Sequence, residues 1–255
     1  MPERHRLKNW LTASSKLLLD TLFPALCPCC NEPVDEPGSL CAPCWGQTNF
    51  ISPPYCFQCG YPFEYEISGD MLCGTCIASP PPFSRGVSVF QYDDASRHMV
   101  LAFKHADRTD RAPAFANWMS RAATNILVDD VIIAPVPLHP KRLRSRRYNQ
   151  SALLAQNIAK IKGHRVAPDL LTRGRDTASQ GGKSPKARFR NVKGAFSINA
   201  KWQNLIDGEH VLLIDDVFTT GATLSECAAC LLQEGATQVD ILTLCRVVRP
   251  ATMSI

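Results

Sequence analysis

The chain runs to 255 residues, 45% hydrophobic and 20% charged, the balance of a protein with a real core rather than a disordered one. Its longest apolar runs, around residues 17–19 and 211–214, fall far short of the roughly 20 residues a membrane helix needs, which argues against membrane insertion. The formal net charge of +5 conceals an asymmetry: residues 135–195 hold fifteen Lys/Arg against two acids, a local +13, and the remainder carries −8.

At the N-terminus, Arg4, Arg6 and Lys8 precede Leu11 as in an export signal, but Ser14, Ser15, Lys16 and Asp20 interrupt the apolar stretch such a signal requires. Trp10, Leu11, Leu17, Leu18, Leu22 and Leu26 suit one face of an amphipathic helix instead, predicted over residues 1–26. Without an export signal, the expected location is cytoplasmic.

Residues 27–78 form the next segment. Eight of the nine cysteines there make four C-x-x-C pairs: Cys27/Cys30, Cys41/Cys44, Cys56/Cys59 and Cys73/Cys76. Each pair presents two thiolates on one side of a tight knuckle, and two knuckles complete a tetrahedral zinc site. Two structural zinc sites are therefore expected, in preference to disulfides, which belong to exported chains. Spacing leaves open whether the pairs join sequentially or interleave. Cys29, wedged inside the first knuckle, reads as a bystander. The segment holds six acids and no Lys or Arg, so it is a poor surface for phosphate and a candidate docking surface for a protein partner.

Pro80, Pro81 and Pro82 mark a boundary. Beyond it, strands are predicted over residues 87–92, 131–136, 211–214 and 239–244, and helices over 96–104, 113–127, 150–161 and 223–234. This alternation implies an α/β domain over residues 83–250, a mostly parallel sheet flanked by helices and preceded by the small cysteine-rich module. Cys227 and Cys230 repeat the C-x-x-C spacing, but inside the last helix, where they read as core. Two polar stretches, 137–149 and about 174–191, read as long binding loops.

Residues 211–223 carry the chemistry. A buried strand delivers Asp215 and Asp216 to its C-terminal edge, where open α/β sheets bind ligands. Thr219, Thr220 and Gly221 then turn into a helix, offering backbone N–H groups, hydroxyls and a positive dipole end to a phosphate. The two carboxylates suit vicinal hydroxyls or Mg²⁺. A phosphate beside a pair of diol acceptors describes a ribose 5-phosphate.

These thirteen residues resemble the phosphoribosyl-pyrophosphate signature of the type I phosphoribosyltransferases. With the cysteine module in front, the chain resembles the ComF family, a double zinc ribbon joined to such a domain, from about Phe23 to Arg246. The resemblance implies that Asp215 and Asp216 hold the ribose hydroxyls and that Phe218, Thr219, Thr220, Gly221, Ala222 and Thr223 form the 5-phosphate loop. Pro137, Lys141 and Arg142 lie in what resembles the pyrophosphate-side loop, followed by Arg146, Tyr148, Asn149 and Gln150. Arg147 stands where the family commonly has glycine. Gln180, Lys183, Arg188, Asn191 and Gly194 resemble the family's second loop, and Lys104 a family lysine near the same pocket. Lys141, Arg142 or Arg188, with Mg²⁺, would steady the departing pyrophosphate.

The resemblance also implies a role in natural competence and DNA uptake. The expected function is that of a phosphoribosyltransferase with an unread acceptor. Two alternatives stay open: a single-stranded DNA-binding import protein using the basic segment 135–195, with Tyr148, Phe189 and Trp202 as stacking candidates, and a sensor that binds phosphoribosyl pyrophosphate without turnover.

Overall fold

The computed structural model describes residues 24–66, 69–105, 108–176 and 185–248. Most of the expected N-terminal helix, and Gln180 and Lys183, lie outside the described residues. The chain divides into two compact units between Gln47 and Thr48, so the second cysteine group belongs to the same unit as the sheet.

In the first unit, Leu26 forms an isolated antiparallel bridge with Pro33, not a helical turn. Asn31, in the left-handed region at φ 67°, reverses the chain and returns its N–H to the Cys27 carbonyl at 2.9 Å. The short helix α1 (Ala42–Gln47) then buries Cys44.

In the second unit, α2 (Gly74–Ala78) buries Cys76. The sheet follows: β1 (Gly86–Gln91), β2 (Ile132–Pro135), β3 (Arg165–Val166), β6 (His210–Phe218) and β7 (Gln238–Arg246) run parallel in the order β1-β7-β6-β2-β3. β7 is buried along nearly its whole length, as expected of a strand covered on both faces. Successive side chains alternate between the faces. Ile132, Ala134, Val211, Leu213, Val239 and Ile241 share one core with Leu224, Cys227, Ala228 and Leu231 of α8 (Ala222–Gln233). Cys227 is thus a core residue, as its helical spacing suggested.

Helix α3 (Asp94–His105) follows β1. Helices α4 (Ala112–Ala122) and α6 (Gln150–Lys162) pack on each other and on the sheet. Helix α6 begins where the Asn149 side chain accepts the Ser151 N–H at 3.1 Å, and ends at Gly163 in the left-handed region. From β2 the chain moves outward to β3, and from β6 it moves the other way to β7. The C-terminal ends of β2 and β6 therefore lie side by side where the winding reverses, which is where such sheets open a crevice.

Both polar stretches read as loops contain helices. Helix α5 (Pro140–Arg146) opens on Pro140 with His139 as its cap, and α7 (Pro185–Val192) occupies the second stretch. Helix α5 buries no side chain, so it shows no apolar periodicity in the sequence. A two-stranded antiparallel piece, β4 (Leu171–Arg173) with β5 (Phe196–Ile198), also escaped sequence reading, each strand being only three residues long. Among the described residues no helix is long and apolar enough to cross a membrane.

Candidate functional site

The ends of β2 and β6 open onto a cavity of about 270 Å³. Asp215 and Asp216 line it from β6, and Val136, Pro137 and Arg142 from beyond β2. Thr219, Gly221, Ala222 and Thr223 line it at the start of α8. Gly221, the N-cap, has φ +76° and makes no side-chain cap, and no acid stands in the first turn. The positive end of α8 is thus left open toward the cavity. A Cβ at Gly221 would lie 2.8 Å from Phe218 Cζ, so both the backbone angle and the space require glycine here.

The acidic side of the cavity is tightly held. Ser151 Oγ donates to Asp215 Oδ1 at 2.9 Å, as does the Asp216 N–H at 2.9 Å. Burial, and then the adjacent Asp216 charge, push the Asp215 carboxyl up to about 7. Lys104 Nζ stands 3.2 Å from Asp216 Oδ2. Burial works against the Lys104 ammonium, yet the Asp216 charge and its neighbours hold its pKa above the ordinary lysine range. The lining also holds three arginines, Arg142, Arg146 and Arg173. Burial, and then the Arg142 charge, lower the pKa of Arg173, as two guanidinium groups sharing one cavity require.

Not every expected residue faces this cavity. Phe218 turns into the core, its ring edge-on to Phe83 at 6.4 Å. Lys141 is exposed and paired with Asp176 at 3.1 Å, and Arg188 sits half-buried on α7 outside the cavity lining. Asn149 braces the loop, donating to the Val136 carbonyl at 3.0 Å while capping α6. Thr220 Oγ1 is buried without a hydrogen-bond partner. Conversely, Tyr92, Ser151 and Arg173 line the cavity without having been read as its residues; tertiary packing brings them there from three separate parts of the chain. Gln150 is held by Arg146 at 3.3 Å and donates to the Lys104 carbonyl at 3.1 Å.

The cysteines gather as two sequential groups, Cys27/Cys30/Cys41/Cys44 and Cys56/Cys59/Cys73/Cys76, with ligand atoms within 4.8 Å of one another in each. That settles the pairing in favour of neighbouring knuckles. Cys29 stands outside both. Sγ separations of 3.5 Å for Cys30–Cys41 and 3.7 Å for Cys59–Cys73 match the tetrahedral edge of about 3.8 Å that a 2.3 Å Zn–S bond implies. The Cys41 N–H donates to Cys27 Sγ at 3.4 Å and the Cys73 N–H to Cys56 Sγ at 3.2 Å. Sulfur acceptors fixed by backbone donors suit thiolate ligands, and both groups fit structural zinc.

Comparison with known proteins agrees with this geometry. Residues 18–77 match the double zinc ribbon domain and residues 150–252 the phosphoribosyl transferase domain. The chain is 35% identical over 233 residues to the DNA utilization protein YhgH of Salmonella typhimurium, covering 88% of this chain and 97% of that protein. It is 31% identical over 212 residues to competence protein F of Haemophilus influenzae, covering 81% and 90%. The chain belongs to the ComF family. Competence protein ComFC of Bacillus subtilis is a more distant relative at 26% identity over 215 residues, covering 81% and 84%. Arg147, the residue set against the family's glycine in the sequence reading, closes α5 in the left-handed region at φ +67°. The backbone there keeps a glycine conformation under a non-glycine side chain.

Proposed function

We propose that the chain binds phosphoribosyl pyrophosphate with Mg²⁺ in this cavity and transfers the phosphoribosyl group to an acceptor. The observation that carries the reading is the succession of Asp215 and Asp216, a helix start without a side-chain cap, and three arginines around one cavity. The carboxylates accept the vicinal ribose hydroxyls. The turn at Thr219, Gly221 and Ala222 takes the 5-phosphate through its N–H groups. Arg142, Arg146 and Arg173 face the pyrophosphate. Of the three basic residues expected to steady the leaving group, only Arg142 lies on the cavity wall.

In transfer, the C1–O bond to pyrophosphate breaks with its electron pair leaving on the pyrophosphate oxygen, and the acceptor's lone pair forms the new bond at C1. The ribose passes through an oxocarbenium-like state. Arginines fixed beforehand at the departing oxygens stabilise the charge as it develops. Hard carboxylate oxygens at Asp215 and Asp216 suit Mg²⁺, which when bound offsets negative charge on the pyrophosphate. Lys104, 3.2 Å from Asp216 Oδ2, positions that side chain for either partner.

The test is calorimetric titration of phosphoribosyl pyrophosphate and Mg²⁺ into the wild type and Asp215→Asn/Asp216→Asn. Heat that vanishes in the double variant supports a live site; a folded wild type giving none refutes it. Pyrophosphate release on adding acceptors separates transfer from sensing.

The names of the relatives support a role in DNA uptake or use. One observation favours direct single-strand contact: Phe189 is 46% exposed on α7, flanked by Arg188 and Arg190. Tyr148 and Trp202 are instead partly buried, donating to the Phe103 carbonyl and to Asp169. Backbone binding there must weaken as salt rises, and affinity indifferent to salt excludes it.

A further inference from the structure

Arg246, the last residue of β7, is only 4% exposed. Its Nη1 donates to the Cys59 carbonyl and lies 3.8 Å from Cys59 Sγ. The guanidinium stacks over Tyr61, 5.1 Å from its centroid, and over Phe218 at 4.6 Å. Its Nε is buried without a hydrogen-bond partner, and among the described residues no carboxylate forms an ion pair with it. A guanidinium taken out of water needs a counter-charge. Four thiolates around one zinc carry a formal charge of about −2, and Cys59 is one of those four.

The same residue is linked to the cavity through its neighbours. Arg246 lies opposite Phe218 in the β6–β7 register, and the Val247 N–H donates to the Phe218 carbonyl at 2.8 Å. The Phe218 ring fills the space beside Gly221 that a Cβ would need. On its other edge, the Arg246 carbonyl accepts the N–H of Tyr92, a cavity residue, at 2.6 Å. The second cysteine group is itself built onto the sheet: Gln58 donates to the carbonyls of Pro81 and Phe83, and Arg85 stacks on Phe57 at 4.5 Å.

We propose that Arg246 is a positioning residue whose counter-ion is the second zinc–thiolate group, so that occupancy of that metal site fixes Phe218 and, through it, the turn at Thr219–Ala222. The phosphate role of that turn rests on the function proposed above; the coupling between metal and turn does not. The first cysteine group, in the other compact unit, has no part in it.

The test is Arg246→Met, with Arg246→Lys as the conservative partner, read without any ligand. Cysteine alkylation under a zinc chelator, mapped by peptide mass, reports each metal site separately. Amide hydrogen exchange reports the turn. In Arg246→Met the Cys56–Cys76 group should be alkylated about ten-fold faster while Cys27–Cys44 keeps its rate, and the amides of residues 219–222 should exchange faster by about the same factor, the scale of one lost charge-assisted bond. Arg246→Lys, which keeps the charge but not the stacking, should restore metal retention more than turn protection. Unchanged rates at either place overturn the proposal, as does acceleration spread equally over both cysteine groups and the whole sheet. Should Arg246→Met not fold, the wild type serves: exchange at 219–222 must rise as the second site empties, and constancy there refutes the coupling. Loss of phosphoribosyl-pyrophosphate binding in the wild type would sink the function proposed above and leave these readouts intact.

Discussion

Gly221→Ala separates two costs that usually arrive together. Gly221 and Gly163 both lie in the left-handed region, at φ +76° and +75°. At Gly163 a Cβ meets nothing within 4 Å, whereas at Gly221 it would lie 2.8 Å from Phe218 Cζ. The ring cannot retreat easily, since Phe83 packs edge-on to it at 6.4 Å and Arg246 stacks on it at 4.6 Å. Gly163→Ala should therefore lose only the backbone term, about 1 kcal/mol. Gly221→Ala should lose that and an overpacking term, in all about 2–4 kcal/mol. Urea unfolding of the two variants, compared at unchanged m, measures the difference. Affinity for phosphoribosyl pyrophosphate should fall in Gly221→Ala alone, because only there must the turn shift. Equal stability losses in the two variants would show that Phe218 does not hold the turn.

Four further outcomes are expected. The Asp215 carboxyl is raised to about 7 from the ordinary carboxylate range, so the folded chain holds a proton that the unfolded chain releases; its contribution to stability therefore falls as pH rises from about 4 to about 7, and Asp215→Asn should flatten that slope in denaturant titrations. Ligand affinity should rise through the same upper limit, and Ser151→Ala, which removes a bond favouring the carboxylate, should move that rise to higher pH; an unmoved profile would assign the titration to another group. Elemental analysis should give two zinc ions per chain, and a value near one would mean that one of the two cysteine groups stays empty. Arg147→Gly should stabilise the chain by about 0.5–1 kcal/mol in thermal or urea unfolding, since glycine removes the left-handed penalty at φ +67°; a loss of stability would show that the Arg147 side chain contributes more than its backbone strain.

The parts of the site that were legible in the sequence are those that are contiguous. Asp215, Asp216, Thr219 and Gly221 stand together because one strand end and one helix start deliver them, and no tertiary information is needed. Contiguity also misled: it placed Phe218 with the ligand, whereas its ring packs against Phe83 and the Arg246 guanidinium instead. Ser151 and Tyr92 were invisible because their roles depend on which helix packs on β6 and on the end of β1 lying beside β7. Arg173 did leave a signal, as a basic residue at the edge of the charge-rich stretch. The helices α5 and α7 were missed because neither has the apolar stripe from which a helix is read. The sequential cysteine pairing could not follow from spacing, since either arrangement completes four ligands.

Like charges in the cavity oppose one another. Asp215 is pushed up by burial and by Asp216, and Arg173 is pulled down by burial and by Arg142. Both groups would be relieved by charge of the other sign. Lys104 pairs directly with Asp216 and acts on Asp215 more weakly, leaving Asp215 with a hydroxyl and an N–H as its hydrogen-bond donors. A ligand suited to this cavity must therefore present hydroxyls or a cation to the β6 side and negative charge to both the open end of α8 and the arginines. A sugar with phosphates at two ends meets that description, and a plain phosphate or a nucleic-acid backbone meets only half of it. The polar groups are held in advance by Ser151, Gln150 and Asn149, so little reorganisation is left for the moment of binding. The basic residues outside the cavity, Arg188 and Arg190 beside Phe189, are then surplus to the sugar phosphate, and it is this surplus rather than the cavity that leaves room for a second, polyanionic partner.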